Sequence, residues 1–254
     1  MTMELLSLTD VSLAFHRGRR HVVKVLANVS LSIGAGEVVA VLAQRAQGKT
    51  SLLRVAAGMQ RPDSGRVCFE GEDLWGFSDR RRSRLLGGRI GWVGHAAPEL
   101  DLPMLAGVAL PLFAAYGKRE SYARAMAALE RVGAAECAEQ FWGSLADWER
   151  ALLAVAQGIA REPKLLLVDD LTASLGLGET DALTRLLDVL ASERGFGVLM
   201  SVSDAGATGW SGRVATLAGG ELLEAPRSPA GQGNIIDFPG AGPRARDPRH
   251  GISS

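Results

Sequence analysis

Several features that quickly place a protein are scarce in this chain. It has two cysteines in 254 residues, Cys68 and Cys137. They stand far apart and form no Cys-x-x-Cys pair, which suits a reducing compartment where thiols stay free, and cytosol is the expected location. An excess of one charge is also missing. Lys plus Arg equals Asp plus Glu at 28 each, so no net field draws the whole molecule toward nucleic acid or anionic lipid. Long apolar runs are absent too: Val38 to Ala43 and Ala106 to Tyr116 fall well short of the roughly 20 residues that cross a bilayer, and the second contains Pro111. Any membrane span must then belong to another chain. Met1-Thr-Met-Glu-Leu-Leu carries neither a basic leader nor a sustained apolar region, so no secretory signal is expected.

What is present fits a large globular domain, or one with a lobe attached. Hydrophobic residues make up 47% and charged residues 22%, enough for a substantial core with an ordinary surface. Short β-rich runs, Val29 to Ile33, Val38 to Ala43 and Arg66 to Glu70, occupy the first third, bounded by Gly34, Gly36, Gly65 and Gly71. Helical spacing follows. Leu152, Val155, Ala156 and Ile159 share one helical face, as do Leu183, Leu186, Leu187 and Leu190. Each helix leads into an apolar strand, Leu165 to Val168 and Val198 to Val202. Alternation of this kind predicts an α/β fold with a mostly parallel sheet. The helix-rich stretch from Pro103 to Gly143 reads as a side lobe. After Glu224 the composition turns to Pro, Gly, Arg and Ser, and residues 225–254 are expected to form a flexible tail.

The chemistry centres on Val38-Val-Ala-Val-Leu-Ala43 followed by Gln44-Arg-Ala-Gln-Gly-Lys-Thr-Ser-Leu-Leu53, which reads as strand, tight loop, helix. Successive backbone N–H groups and a helix N-terminus gather positive potential for phosphates, Lys49 adds a point charge, and the Thr50 hydroxyl can ligate Mg²⁺. Gly48-Lys49-Thr50 keeps that end of the phosphate-loop pattern, while Ala43 stands at its first position in place of glycine. Taken alone, the same residues also fit any strand followed by a helix that starts Gly-Lys-Thr.

Further segments resemble the ATP-binding subunits of ABC transporters, in order and from end to end through about Glu224. Leu26-Ala-Asn-Val-Ser-Leu-Ser-Ile-Gly-Ala-Gly-Glu37 is similar to their approach to the phosphate loop, and Ala57-Gly-Met-Gln-Arg-Pro-Asp-Ser-Gly-Arg66 to the segment after it. Arg161-Glu-Pro-Lys-Leu-Leu-Leu-Val-Asp-Asp170 resembles their second phosphate-site strand, with Asp169 as the magnesium-organising acid. Ile90-Gly-Trp-Val-Gly-His95 with Gly107-Val-Ala-Leu-Pro-Leu112 looks most like the lipoprotein-release and cell-division branch. The resemblance implies a phosphate-loop ATPase fold with an antiparallel β part, a helical subdomain at about 97–160 and a nucleotide-binding domain over 1–224.

It also implies site roles. Arg45, Gln47, Gly48, Lys49, Thr50 and Ser51 would surround ATP, with Thr50 and Asp169 placed for Mg²⁺. Phe15 would stack on adenine, its alternative being a buried strand phenylalanine. Arg45 could restore some positive charge to the loop, but its first reading is a solvated surface arginine. His95 aligns with the family's magnesium-sensing glutamine, Asp170 with its catalytic glutamate, and Ser203 with its switch histidine. Gly176 stands where the family has an aspartate at the dimer seam. The signature Leu-Ser-Gly-Gly-Gln aligns with Leu145-Ala-Asp-Trp-Glu149, where Asp147 would oppose a facing phosphate and Trp148 adds bulk. As a purely structural alternative, Asp147 reads as a helix N-cap. Ala43 and Ala46 replace loop glycines, and each residue forced into the left-handed region would cost roughly 1 kcal/mol.

These departures imply a subunit that binds ATP, works with a separate membrane permease at the inner face of the cell membrane, and hydrolyses poorly or not at all. The alternatives are a working ATPase with Asp170 as base, and a scaffold that binds no nucleotide. A dimer with itself or with another ATPase subunit is expected. Nucleic acid is not. No aromatic residues interleave with Arg80-Arg-Arg-Ser-Arg84, which therefore reads as a solvated helix face.

Overall fold

The structure, a computed structural model, describes residues 4–17, 21–94, 101–203 and 212–224. His95 and the tail from Ala225 lie outside them. Two sheets form the frame. Strands β1 (Glu4–Arg17), β2 (His21–Gly34), β4 (Ser64–Phe69) and β5 (Glu72–Asp73) make an antiparallel sheet in the order β2-β1-β4-β5. Strands β3 (Val38–Leu42), β6 (Ile90–Gly94), β7 (Leu165–Asp169), β8 (Gly197–Val202), β9 (Arg213–Ala218) and β10 (Glu221–Glu224) make a second sheet in the order β10-β9-β3-β8-β7-β6. All its pairings are parallel except β9 with β10.

The apolar strands β3, β7 and β8 are buried on both faces, the environment a parallel sheet between two layers requires. Because side chains alternate along a strand, each feeds two cores. Val38, Ala40, Leu166, Val168, Val198 and Met200 face a helical core. It includes residues of α3 (Met104–Ala109), α4 (Lys118–Arg131), α5 (Asp147–Ile159) and α6 (Leu177–Arg194). Val39, Val41, Leu165, Leu167 and Leu199 face the other core, shared with the antiparallel sheet and α1 (Lys49–Ala56). Each fully buried leucine contributes about 1.5–3 kcal/mol of transfer free energy, so Leu166→Ala would cost roughly 2–5 kcal/mol.

The predicted helical faces hold. Leu152, Val155, Ala156 and Ile159 are buried on α5, and Leu183, Leu186, Leu187 and Leu190 on α6. Helix α5 lies close against β6 because Gly91 is small: a Cβ there would stand 2.7 Å from the Gly158 carbonyl oxygen. Helix α2 (Asp79–Gly88) buries none of its residues, as the arginine run suggested. Two of its arginines nonetheless lie on aromatic rings supplied from before the helix. Arg81 sits 3.8 Å over Phe77 and pairs with Glu72 at 2.7 Å, while Arg82 sits 4.4 Å over Trp75. Those ring faces are used inside the fold. Among the described residues, no helix is long and apolar enough to cross a membrane.

Candidate nucleotide site

The site grows from the strand order. Strand β8 lies between β3 and β7, so residues beyond its end fall between the loop after β3 and the acids at the end of β7. The loop leaves β3 through Ala43, which is buried and donates its N–H to the Val202 carbonyl at 3.1 Å. Of the two alanines expected to strain, only Ala46 does so, with φ 63°; Ala43 keeps a negative φ. Gly48 then takes φ 98° at the N-cap of α1. A Cβ at Gly48 would stand 2.6 Å from Val25 Cγ1 and 2.9 Å from the Val25 carbonyl, so only glycine fits.

Helix α1 starts with no side-chain cap and no acidic residue in its first turn. The unpaired N–H groups of a helix start therefore remain available there. Arg45 is exposed and makes no ion pair among the described residues, consistent with a solvated arginine. Gln47 and Ser51 are half-buried. Phe15 is 42% exposed on β1, opposite Val23 and on the strand pair that carries Val25 against the loop. Its alternative as a buried strand residue is thereby overturned.

Lys49 is buried, and its ammonium has partners. Nζ lies 3.2 Å from Asp170 Oδ1 and donates to Ser203 Oγ, while Ser203 Oγ donates to the same Asp170 oxygen at 2.6 Å. Asp169 is occupied separately: Thr50 Oγ1 and Ser201 Oγ each donate to its Oδ1 at 3.1 Å. Ser201, buried in β8, also accepts the Asp170 N–H at 2.8 Å. Asp170 itself has φ 51°, just past the end of β7. Ser201 went unnoticed in the sequence, although a hydroxyl inside the apolar run Gly197-Val-Leu-Met-Ser-Val202 was the available signal. Among the described residues, no cluster of three or more His, Cys, Asp or Glu could hold a metal. Gly94, the residue before His95, pairs in register with Asp169.

The start of α5 differs from its sequence reading. Asp147 is not the N-cap but the first helical residue, behind Ala146. Alanine offers no acceptor, so the cap comes from Glu149, whose Oε2 accepts the Ala146 N–H at 2.7 Å. Asp147 Oδ1 pairs with Arg150 Nη1 at 3.0 Å instead. Trp148 is half-buried against the helical core, which takes up much of its bulk. At α6, Gly176 occupies the N-cap and donates its N–H to Glu179 Oε2 at 2.9 Å.

The family model for ABC transporters matches residues 26–173, from β2 to just beyond Asp170. The chain belongs to the ABC transporter ATP-binding family. The lipoprotein-releasing system ATP-binding protein LolD of Cereibacter sphaeroides is 32% identical over 224 residues, covering 87% of this chain and 99% of that protein. The methionine import ATP-binding protein MetN 1 of Rhodococcus jostii is 32% identical over 250 residues, covering 92% and 72%. In fold, the chain resembles the dimeric structure of MJ0796, a bacterial ABC transporter cassette, with TM-score 0.75 and 24% identity over 85% of this chain and 96% of that one. The post-hydrolysis state of MJ0796 bound to ADP and Pi aligns with the same score and identity, over 87% and 97%. Membership in this family implies nucleotide binding, and the loop at Gly48-Lys49-Thr50 lies within the matched span. Ser203, which closes the ring on Lys49, lies outside the matched span.

Proposed function

We propose that this chain is the ATP-binding subunit of an ABC transporter that couples nucleotide binding to a separate membrane permease, with hydrolysis weak or lost. The observation that carries the reading is the pairing of an uncapped α1 start at Gly48-Lys49-Thr50 with Asp169, 3.1 Å from the Thr50 hydroxyl. Backbone amides there receive phosphates, and Phe15 offers an exposed ring for adenine. The oxygen donors of Thr50 and Asp169 fit Mg²⁺, which is commonly held by one or two protein oxygens with phosphates and waters completing the shell. When bound, the ion neutralises phosphate charge.

Weak hydrolysis follows from where the catalytic positions point. A general base must reach a water beside the terminal phosphate. The Asp170 carboxylate is instead the counter-ion of Lys49, and Ser203 supplies a hydroxyl to that pair where the family has an imidazole. The partners are the permease and a second ATP-binding subunit, identical or related, at the cytoplasmic face of the membrane. By the family alignment, a phosphate held by the second subunit would approach the start of α5, whose first turn carries the acids Asp147 and Glu149.

A thermal-shift titration of the full chain with Mg-ATP tests the binding half. Ligand at about 100 times its dissociation constant adds roughly 2.7 kcal/mol, and Lys49→Ala should abolish the shift. Absence of any shift at millimolar nucleotide would return the chain to a bare scaffold. Phosphate release by the permease complex tests the other half. Brisk turnover that disappears in Asp170→Asn would make Asp170 a working base.

A further inference from the structure

We propose that Ser201 is a positioning residue that sets the Asp169 carboxylate for Mg²⁺ and thereby governs how strongly nucleotide binding depends on the ion. The inference rests on the nucleotide-binding reading and adds the residue that orients its magnesium acid. Side chains alternate along a strand, and Val41, Leu167 and Leu199 face the core shared with α1. Asp169 and Ser201 stand two positions beyond Leu167 and Leu199, so both fall on that same face. Ser201 is also in register with Val41 across β3 and β8. Thr50 meets Asp169 there from the first turn of α1.

The rest of β8 is glycine and apolar residues, and the whole strand is buried. A hydroxyl in such a place costs free energy unless its hydrogen bonds are made. Ser201 Oγ donates its single hydrogen to Asp169 Oδ1 at 3.1 Å and accepts the Asp170 N–H at 2.8 Å. One hydroxyl therefore ties the carboxylate of the first acid to the main chain of the second, where the backbone turns at φ 51°. Thr50 Oγ1 donates to the same Asp169 oxygen at 3.1 Å. Two donors from different elements on one oxygen fix the rotation of that carboxylate.

The Thr50 contact alone is a weaker constraint, because that hydroxyl must serve the ion as well as the acid. Ser201 is buried in the central strand β8, and its hydrogen is committed to Asp169. Mg²⁺ demands near-ideal octahedral geometry, so the orientation of a nearby carboxylate matters more to it than to a larger ion. Groups that orient metal ligands are typically worth ten- to a hundredfold in metal affinity. A hydroxyl that only satisfied the Asp170 N–H would act on the fold and weaken nucleotide binding equally with and without the ion. Positioning of Asp169 confines the loss to the ion-dependent part.

Calorimetric titration of the full chain with the non-hydrolysable β,γ-imido analogue of ATP, once in Mg²⁺ and once in EDTA, tests this. The original chain should bind the analogue more tightly with the ion present. Ser201→Ala should lose about tenfold or more of the affinity in Mg²⁺. Its affinity in EDTA should stay within about threefold of the original. Ser201→Thr keeps the hydroxyl and should retain most of the Mg²⁺ dependence. If Ser201→Ala does not fold, Ser201→Cys stands in, with a weak S–H donor and a smaller loss of the same kind. An unchanged Mg²⁺ dependence in the variants without the hydroxyl overturns the inference, as does an equal loss in Mg²⁺ and in EDTA. An original chain whose affinity is indifferent to the ion overturns it too. Absence of analogue binding to the original chain under both conditions removes the nucleotide-binding reading itself.

Discussion

Helices α1 and α5 both begin at segments that the family uses on phosphates, and here they begin in opposite ways. Helix α1 opens behind Gly48 with no acidic residue in its first turn and no side-chain cap. Helix α5 opens with Asp147 and Glu149 in its first turn, and Glu149 already caps the Ala146 N–H. One helix start keeps its amides for an incoming anion. The other gives its Ala146 N–H to a carboxylate of its own and sets two acids in its first turn, where they face the positive end of its dipole. The lesson is that a helix start binds phosphate only if the fold leaves it unsatisfied, whatever its place in a motif.

The sharpest way to break the contrast is to close α1. Gly48→Ala forces a Cβ into Val25 at φ 98°, so nucleotide-induced stabilisation should vanish and stability should fall by about 2 kcal/mol or more, read by urea denaturation. Ser51→Glu places a carboxylate at the third helical position of α1, matching Glu149 in α5. Nucleotide affinity should drop by about tenfold or more in calorimetry, with the nucleotide-free chain no less stable. A Ser51→Glu chain that binds as well as the original would show that helix-start chemistry does not separate the two regions.

Smaller effects sharpen the α5 side. Glu149→Ala should cost about 1 kcal/mol in urea denaturation, because alanine at 146 cannot replace the lost cap. Ala46→Gly relieves a left-handed alanine worth roughly 1 kcal/mol, partly offset by unfolded-chain entropy, and should slightly raise the melting temperature. The smallest effect is read on Cys137. Burial pushes its thiol up to about 11, and the carboxylates of Glu149 and Glu136 add to the shift. Glu149→Gln should lower that value and modestly speed alkylation at pH 9, since the thiolate is the reactive form.

Much of the framework was legible because it is written in local periodicity. Strands β3, β7 and β8 appear as short apolar runs, and α5 and α6 as leucine and alanine spacings, with each pattern repeated in the burial of those residues. Helix starts were less legible. The cap of α5 depends on whether a carboxylate three residues in reaches back, and the N-cap read from the sequence at Asp147 gave way to Ala146. The strain at Ala46 but not at Ala43 likewise depends on how the loop leaves β3, which residue type does not specify.

The residues themselves determined an α/β chain with a strand, tight loop and helix around Gly48-Lys49-Thr50 and acids at Asp169 and Asp170, because hydrophobic periodicity and loop chemistry act over a few neighbouring positions. Only the tertiary structure decided what those acids do. Lys49 and Asp170 are 121 residues apart in sequence, and Lys49 and Ser203 are 154 apart. They meet because β8 pairs between β3 and β7, so strand order turns distant side chains into one ring.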